Sequence, residues 1–192
     1  MAGVRATIKP LSDGESLMGD WVENRQFEGI HVIFSAWLHE DASDAEFTEN
    51  ATWLAFASPY AAKQNKLPVK AVLQRPIAIS LSDEKAQNKA FGHYADYALK
   101  NRTVHAVWFT VPPKETQQYV GKLRQAGVSW NDNFDLPLIH TPEPYTGQLP
   151  RESHWLTLGL MAENSDQQNQ LFGWQKDGNL YVGCLIHQNS VA

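Results

Sequence analysis

The sequence predicts one α+β domain over residues 1–192, with a mixed or mostly antiparallel sheet, helices packed on one face and a C-terminal β-hairpin. Its composition, 43% hydrophobic and 19% charged, is typical of a globular domain of this length. Short apolar runs rich in β-branched residues alternate with amphipathic stretches, which indicates strands mixed with helices. Asp177-Gly178 separates two apolar runs, and this dipeptide favours the two-residue turn of a hairpin.

A short amphipathic helix is expected after Ser12, which with Glu15 forms a capping box, and two strands and a second short helix follow it. The run from Ile30 to Trp37 is short and rich in β-branched and aromatic residues, so we predict a buried strand. Residues 52–57 predict a second strand. Pro59 suits the first turn of a helix, where no N–H donor is needed, so we expect a helix over 60–65.

The middle of the chain predicts two short strands, a long helix, a central strand and a second helix. In chain order they span 69–73, 77–81, 82–100, 103–111 and 113–126. Ser82 is the expected N-cap of the long helix, because its hydroxyl can accept from a first-turn N–H. Gly127 suits the position that ends the second helix, since it adopts a left-handed conformation without a steric penalty.

The last third of the chain predicts a loop and then strands. Residues 140–150 hold three prolines and predict the loop. The apolar run from His154 to Met161 predicts a strand. The hairpin follows, with strands over 171–176 and 179–187 on either side of Asp177-Gly178.

Charge is sorted along the chain. Residues 1–50 carry three bases and ten acids (net −7), residues 51–130 eleven bases and four acids (net +7), and residues 131–192 two bases and seven acids (net −5). The total of −5 conceals this pattern. Charge acts over about one Debye length, roughly 8–10 Å, so such blocks favour electrostatic docking of a partner protein.

The basic block predicts a partner-binding stripe on the long helix. Its residues recur on the side opposite the apolar face, or follow the helix directly: Lys85, Lys89, His93, Lys100 and Arg102. Asp96 interrupts the stripe. A sequence pI of about 5.8 argues against a general nucleic-acid surface. A solvated helix face is the alternative interpretation of the same pattern.

The acidic block predicts a second partner surface in the segment from His39 to Asn50. Its carboxylates include Glu40, Asp41, Asp44 and Glu46, with no base among them. A calcium loop is excluded because the segment lacks the central glycine. A docking patch for a basic partner, a mimic of nucleic-acid charge and a solvated loop all remain open.

Histidine and cysteine spacing predicts no metal site. None of the seven histidines forms an H-x-x-x-H or H-E-x-x-H pattern. Cys184 is the only cysteine, so no intrachain disulfide forms and a reducing compartment is expected. It falls within a predicted strand, which favours a buried structural thiol over a nucleophile. With no apolar leader and no long apolar stretch, we expect a soluble, cytoplasmic protein without membrane contact.

Part of the chain resembles the His-Tyr-Glu branch of the ADP-ribosyltransferases. The resemblance covers residues 29–81 and rests on the strand Ile30-His31-Val32, on residues 52–61 and on the two strands that follow. It implies that His31 binds the ribose of NAD, that Tyr60 stacks on the nicotinamide and that Glu152 is the catalytic carboxylate. An NAD-dependent transferase is therefore one interpretation of the function, with NAD as its cofactor.

The leading interpretation is a protein without a cofactor that binds another macromolecule. The sequence contains no phosphate-binding glycine loop and no nucleophile motif, whereas its charge blocks suit docking. The expected partner is another protein, in an interaction or inhibitor-type role. ADP-ribosyl transfer is the first alternative and an acidic nucleic-acid mimic is the second.

Overall fold

A six-stranded mixed sheet lies at the centre of this computed structural model, which describes residues 29–38, 49–131, 138–140, 153–166 and 168–188. The strands in order along the sequence are β1 (Ile30–Trp37), β2 (Asn50–Ala57), β3 (Ala71–Leu73), β4 (Ile77–Ser80), β5 (Thr103–Val104), β6 (Ala106–Phe109), β7 (Ser129–Trp130), β8 (Leu138–Ile139), β9 (Asn169–Lys176) and β10 (Asn179–His187). The helices are α1 (Pro59–Gln64), α2 (Glu84–Ala98), α3 (Pro113–Gln125) and α4 (His154–Glu163).

The C-terminal hairpin forms the middle of the sheet. The strand order is β3-β10-β9-β6-β8, with β4 also paired to β10. The strands β9 and β10 pair antiparallel, whereas β6 runs parallel to both β9 and β8. Asp177 and Gly178 both have positive φ, 49° and 73°, as a tight turn with the twist of a hairpin requires. The predicted α+β class, mixed sheet and hairpin are confirmed.

The two long helices, α2 and α3, pack on one face of the sheet. Phe91, Tyr94 and Leu123 are fully buried in a cluster with sheet residues that include Val107 and Leu171. The N-cap of α2 is Asp83 rather than Ser82, because the Asp83 carboxylate accepts the N–H of Lys85 and of Ala86. A carboxylate at this position also interacts favourably with the helix dipole.

The opposite face of the sheet holds helix α4, and here the predicted strand over 154–161 is wrong. The segment is helical and is buried or half-buried through most of its length. A helix that is apolar on all sides lacks the 3.6-residue periodicity that identifies a surface helix. The ring of Phe172 lies 5.4 Å from that of Trp174, whose ring stacks on His154 at 4.7 Å, so this face is rich in aromatic contacts.

The strands β1 and β2 form a separate two-stranded antiparallel sheet, which we call the ribbon. Its inner face packs on α4: the Phe56 and Trp155 rings lie 6.2 Å apart, and Thr52 lies against Gly159. A Cβ added to Gly159 would lie 3.1 Å from Cγ2 of Thr52, so this contact is close. The layers are therefore α2 and α3, the central sheet, α4, and the ribbon.

The predicted strand over 103–111 is divided at His105. Residues Thr103–Val104 pair with β7, and only Ala106–Phe109 joins the central sheet. The His105 N–H donates to the carbonyl oxygen of Asn169 at 2.8 Å, which holds the backbone in place between the two strands. Among the helices that the structure describes, none is long and apolar enough to cross a membrane.

Candidate interaction surfaces

The predicted basic stripe lies on the solvent side of α2. Lys85, Lys89 and His93 are four residues apart and exposed, so they line up along the helix. Tyr97 continues this line; it is 57% exposed, and its ring lies 6.5 Å from that of His93. Lys100 follows the end of the helix and is exposed as well. We call Lys85, Lys89, His93 and Lys100 the basic stripe.

The lysines of the basic stripe have no ion pair among the residues that the structure describes. Two other lysines do: Lys70 contacts Glu163 at 2.6 Å and Lys122 contacts Glu84 at 3.5 Å. Asp96 is the exposed acid on the same side of α2, as the sequence predicted. The stripe therefore presents positive charge that the described residues leave largely uncompensated.

Arg102 lies in a different environment from the basic stripe. It is half-buried and lines an open polar cleft of about 580 Å³ at one end of the sheets. The cleft is formed by the segment after α2, by β5, β7 and β9 near their ends, and by the last two residues of β10. Its other lining residues are mostly amides and imidazoles: Asn101, Thr103, His105, Asn131, Gln168, Asn169, Ile186 and His187.

Hydrogen bonds hold both imidazoles of the cleft in place. The His105 Nδ1 accepts the backbone N–H of Asn169 at 3.4 Å, so the proton of the neutral ring lies on Nε2. The His187 Nε2 lies 2.9 Å from the carbonyl oxygen of Met161, an acceptor, and 3.0 Å from the amide nitrogen of Gln170, a donor, so its role follows the tautomer of the ring. The buried Nδ1 of His187 has no hydrogen-bond partner within the described ranges. No carboxylate lines the cleft among the described residues.

His31 and Tyr60, which the sequence assigns to NAD binding, lie at the same end of the ribbon. His31 pairs with Phe56 near the end of β2, and Ser58 then caps α1, whose first turn contains Tyr60. Tyr60 is 46% exposed. Burial lowers the pKa of His31, so its ring is more often neutral than that of an ordinary histidine at neutral pH.

Several predicted site residues lie outside the described residues. These are the proposed catalytic carboxylate and the acidic partner-binding residues: Glu152, Glu40, Asp41, Asp44 and Glu46. The next described residue after Glu152 is Ser153, adjacent to α4, whose Trp155 contacts Phe56 at the end of the ribbon that carries His31. The helix expected after Ser12 lies outside the described residues as well, so this helix and the roles of the five carboxylates stay predictions.

Cys184 is fully buried in β10, as the sequence predicted. Burial raises the pKa of its thiol to about 12, and the charge of Arg102 acts in the opposite direction. A thiol with this pKa is almost entirely protonated at neutral pH, so it is a poor nucleophile. It packs among the apolar side chains between the sheet and α2.

The outer face of the ribbon is an apolar surface that we did not predict. Because side chains alternate along a strand, every second residue points away from α4. The sequence predicted a buried strand over 30–37. This prediction is right for the inner face of the strand and wrong for its outer face. Four large side chains of the outer face are about half exposed or more: Ile30, Val32, Phe34 and Trp53.

Comparison with known proteins finds a solved structure of similar fold but no family to which the sequence belongs. No protein-family model matches the sequence, and the search of curated proteins gives no match. A solved structure is similar with a TM-score of 0.65 and 12% identity, over 91% of the present protein. It is described as AntDE:AntF (apo), a type II PKS acyl-carrier protein in complex with its ketosynthase bound to the hexaketide. The present protein spans 55% of the length of the matched polypeptide.

Proposed function

We propose that this protein binds an acidic segment of another protein along the basic stripe and in the cleft at Arg102. The observation that carries this proposal is Arg102, a half-buried residue in a cleft without a carboxylate among the described lining residues. A partly desolvated cation gains most from an anionic partner, because the surroundings do not compensate its charge.

The chemistry of the cleft favours a carboxylate as the group that is bound. A guanidinium donates two parallel N–H groups to a carboxylate, and this geometry is specific as well as strong. His105, Asn101 and Asn131 line the same cleft. They supply further donors, so an Asp or Glu side chain or a C-terminal carboxylate fits the cleft.

The basic stripe leads along α2 towards the cleft. Lys100 is exposed next to Asn101, whose φ of 60° turns the backbone before Arg102. Exposed charges of this kind contribute more to the association rate than to affinity, whereas a partly buried pair fixes the register. The stripe therefore attracts the acidic segment, and Arg102 positions it.

The solved neighbour agrees with a binding role at a coarse level. Its description names a complex of two proteins, an acyl-carrier protein and its ketosynthase. At 12% identity this likeness is one of fold, so the partner of the present protein is inferred from the cleft and the stripe.

Binding of a labelled Asp/Glu-rich peptide, measured by fluorescence anisotropy at two salt concentrations, tests the proposal. We expect micromolar binding that weakens with salt, at least ten-fold weaker binding for Arg102→Gln, and little change for Lys114→Gln on α3. The matched Asn/Gln peptide is the control for charge. Equal affinity for both peptides, or equal losses for both variants, would contradict the proposal.

A second candidate function is NAD-dependent ADP-ribosyl transfer through His31, Tyr60 and Glu152. It is favoured by the position of His31 and Tyr60 at one end of the ribbon, where α4 also begins. An aromatic ring against the nicotinamide and a carboxylate near the ribose would stabilise the positive charge that develops in such a reaction.

A thermal shift with millimolar NAD tests this second candidate, since a ligand of the native state raises Tm by mass action. We expect a rise of a few degrees that His31→Ala and Tyr60→Ala abolish. Glu152→Gln should keep the shift and lose NAD hydrolysis or transfer. An unchanged Tm at all NAD concentrations would exclude the transferase function. The nucleic-acid mimic stays a prediction from the sequence alone.

A further inference from the structure

The outer face of the ribbon carries no charged side chain. Its residues form cross-strand pairs that combine a large side chain with alanine, except for one aromatic pair and one pair of alanines. The pairs are Ile30 with Ala57, Val32 with Ala55, Phe34 with Trp53, and Ala36 with Ala51. The Phe34 and Trp53 rings are 4.9 Å apart, and Trp53 is 70% exposed. The face is therefore an apolar ridge over β1 beside a row of alanines over β2, with an aromatic pair across both strands.

The polar residues of the ribbon all lie on its inner face, and its outer face has none. They are His31, Ser35, Asn50 and Thr52. A strand with one face in water alternates apolar and polar residues, whereas doubly covered strands read as continuous apolar runs. The strands β1 and β2 read IHVIFSAW and NATWLAFA. Among the described residues only the inner face is covered, by α4. An outer face without polar residues has the composition of a strand face that a second layer covers.

The exposed area is large enough for a specific contact. The four large side chains expose on the order of 500 Å² per copy, given 150–250 Å² for each fully exposed aromatic residue. Apolar patches of this size on a monomer are often functional. Two such faces packed together bury roughly 1,000 Å² in total, which is the lower bound for a stable protein interface.

The shape of the face is complementary to itself. A two-fold axis parallel to the strands and lying between two ribbons places β1 of one copy over β2 of the other. Ile30 and Val32 of one copy then meet Ala57 and Ala55 of the partner, and Phe34 meets Trp53. At Ile30 and Val32 large side chains lie over small ones, and at Phe34 aromatic rings meet. No charge is buried, because the face has none.

We propose that the protein forms a two-fold symmetric homodimer in which the outer faces of two ribbons pack against each other. This inference goes beyond the proposed binding of an acidic segment and uses a different surface. Helix α2, with the basic stripe, lies on the far side of the central sheet from the ribbon. The dimer therefore leaves both stripes open to partners.

Sedimentation equilibrium of residues 1–192 from about 1 to 200 μM tests the proposal. We expect a reversible monomer–dimer equilibrium. Phe34→Thr/Trp53→Thr, which keeps strand-forming residues, should weaken it at least 100-fold, as is usual when central aromatic anchors are removed. The matched control is Val72→Thr/Leu138→Thr, which removes two exposed apolar side chains elsewhere and should leave dimerisation unchanged.

A charge-complementation experiment tests the two-fold geometry. Val32→Lys and Ala55→Glu should each be monomeric, since each places an unpaired charge in the interface. Mixing them should restore a heterodimer, because the introduced lysine of one copy then faces the introduced glutamate of the other. Each outcome is decisive: a wild-type monomer at all concentrations, assembly beyond a dimer, or failure of the mixed variants to associate would overturn the proposal. Binding of the Asp/Glu-rich peptide is a separate measurement, so failure of the dimer proposal and failure of the proposed binding at Arg102 can be told apart.

Discussion

The ribbon and the C-terminal hairpin are antiparallel strand pairs of similar length with different surroundings. In β9 and β10 both faces are covered, one by α2 and α3 and the other by α4, and most residues are buried. In β1 and β2 burial alternates, because only α4 covers the pair among the described residues. Apolar strands of the same kind thus form a core in one place and an exposed surface in the other. The layer that covers a strand decides which role it has.

The largest expected difference is between two phenylalanines, one from each strand pair. Phe172→Ala in β9 should destabilise the protein by about 3–5 kcal/mol, because it leaves a cavity beside Trp174. Phe34→Ala on the outer face should cost less than about 1 kcal/mol at concentrations where the protein is monomeric. Urea unfolding at low protein concentration measures both values. Equal losses would show that the outer face is buried within the monomer.

A smaller effect is expected from close packing within the hairpin. A Cβ on Gly183 would lie 2.2 Å from Cζ of Phe172, its cross-strand neighbour, so Gly183→Ala should destabilise by about 1–3 kcal/mol. Gly92 in α2 is the matched control, since no atom would lie within 4 Å of its added Cβ. Gly92→Ala should stabilise by up to about 1 kcal/mol. Thermal unfolding of both variants checks that their stability changes have opposite signs. Stabilisation by Gly183→Ala would show that the Phe172 ring can move away from the added Cβ.

The smallest effect concerns pH and the buried thiol of the hairpin. Burial raises the pKa of Cys184 from 9.0 to about 12, so above pH 9 the unfolded state loses a proton that the native state keeps. Stability should therefore fall as pH rises, by about 1.4 kcal/mol at pH 10 from this group alone.

The difference in unfolding free energy between wild type and Cys184→Ala, followed from pH 8 to 10, isolates this contribution. A thiol reagent should also modify native Cys184 far more slowly than the unfolded protein at pH 8. A pH-independent difference between the two proteins, together with rapid labelling of the native state, would indicate an accessible thiol.

Local sequence signals identified the elements with one covered face or a clear turn. The apolar face of α2 and the Asp177-Gly178 turn are periodic or specific signals, and both appear in the structure. The segment 154–163 was misassigned because its apolar residues surround the helix, so no periodicity separates helix from strand. The break at His105 was missed because the bond to Asn169 joins residues far apart in sequence.

Among the candidate surfaces, too, one was predicted by local sequence signals and others depend on contacts between distant segments. The basic stripe follows from residue spacing on a helix, and the structure places its lysines in solvent. The position of Arg102 in a cleft, apart from the stripe, depends on residues from several separate segments of the sequence. The outer face of the ribbon was missed because an apolar strand looks the same in sequence whether its second face is covered or open.

The sequence by itself determined the α+β class, most strands and helices, the hairpin turn and the exposed charge of α2, because these depend on interactions between near neighbours. Only the tertiary structure decided which strands are covered on both faces, since that depends on which layers stack on them. It also decided that Arg102 lies in a cleft with two histidines, and that His31 and Tyr60 lie at one end of the ribbon. Those contacts join residues distant in sequence, and burial and the electrostatic surroundings arise only from them.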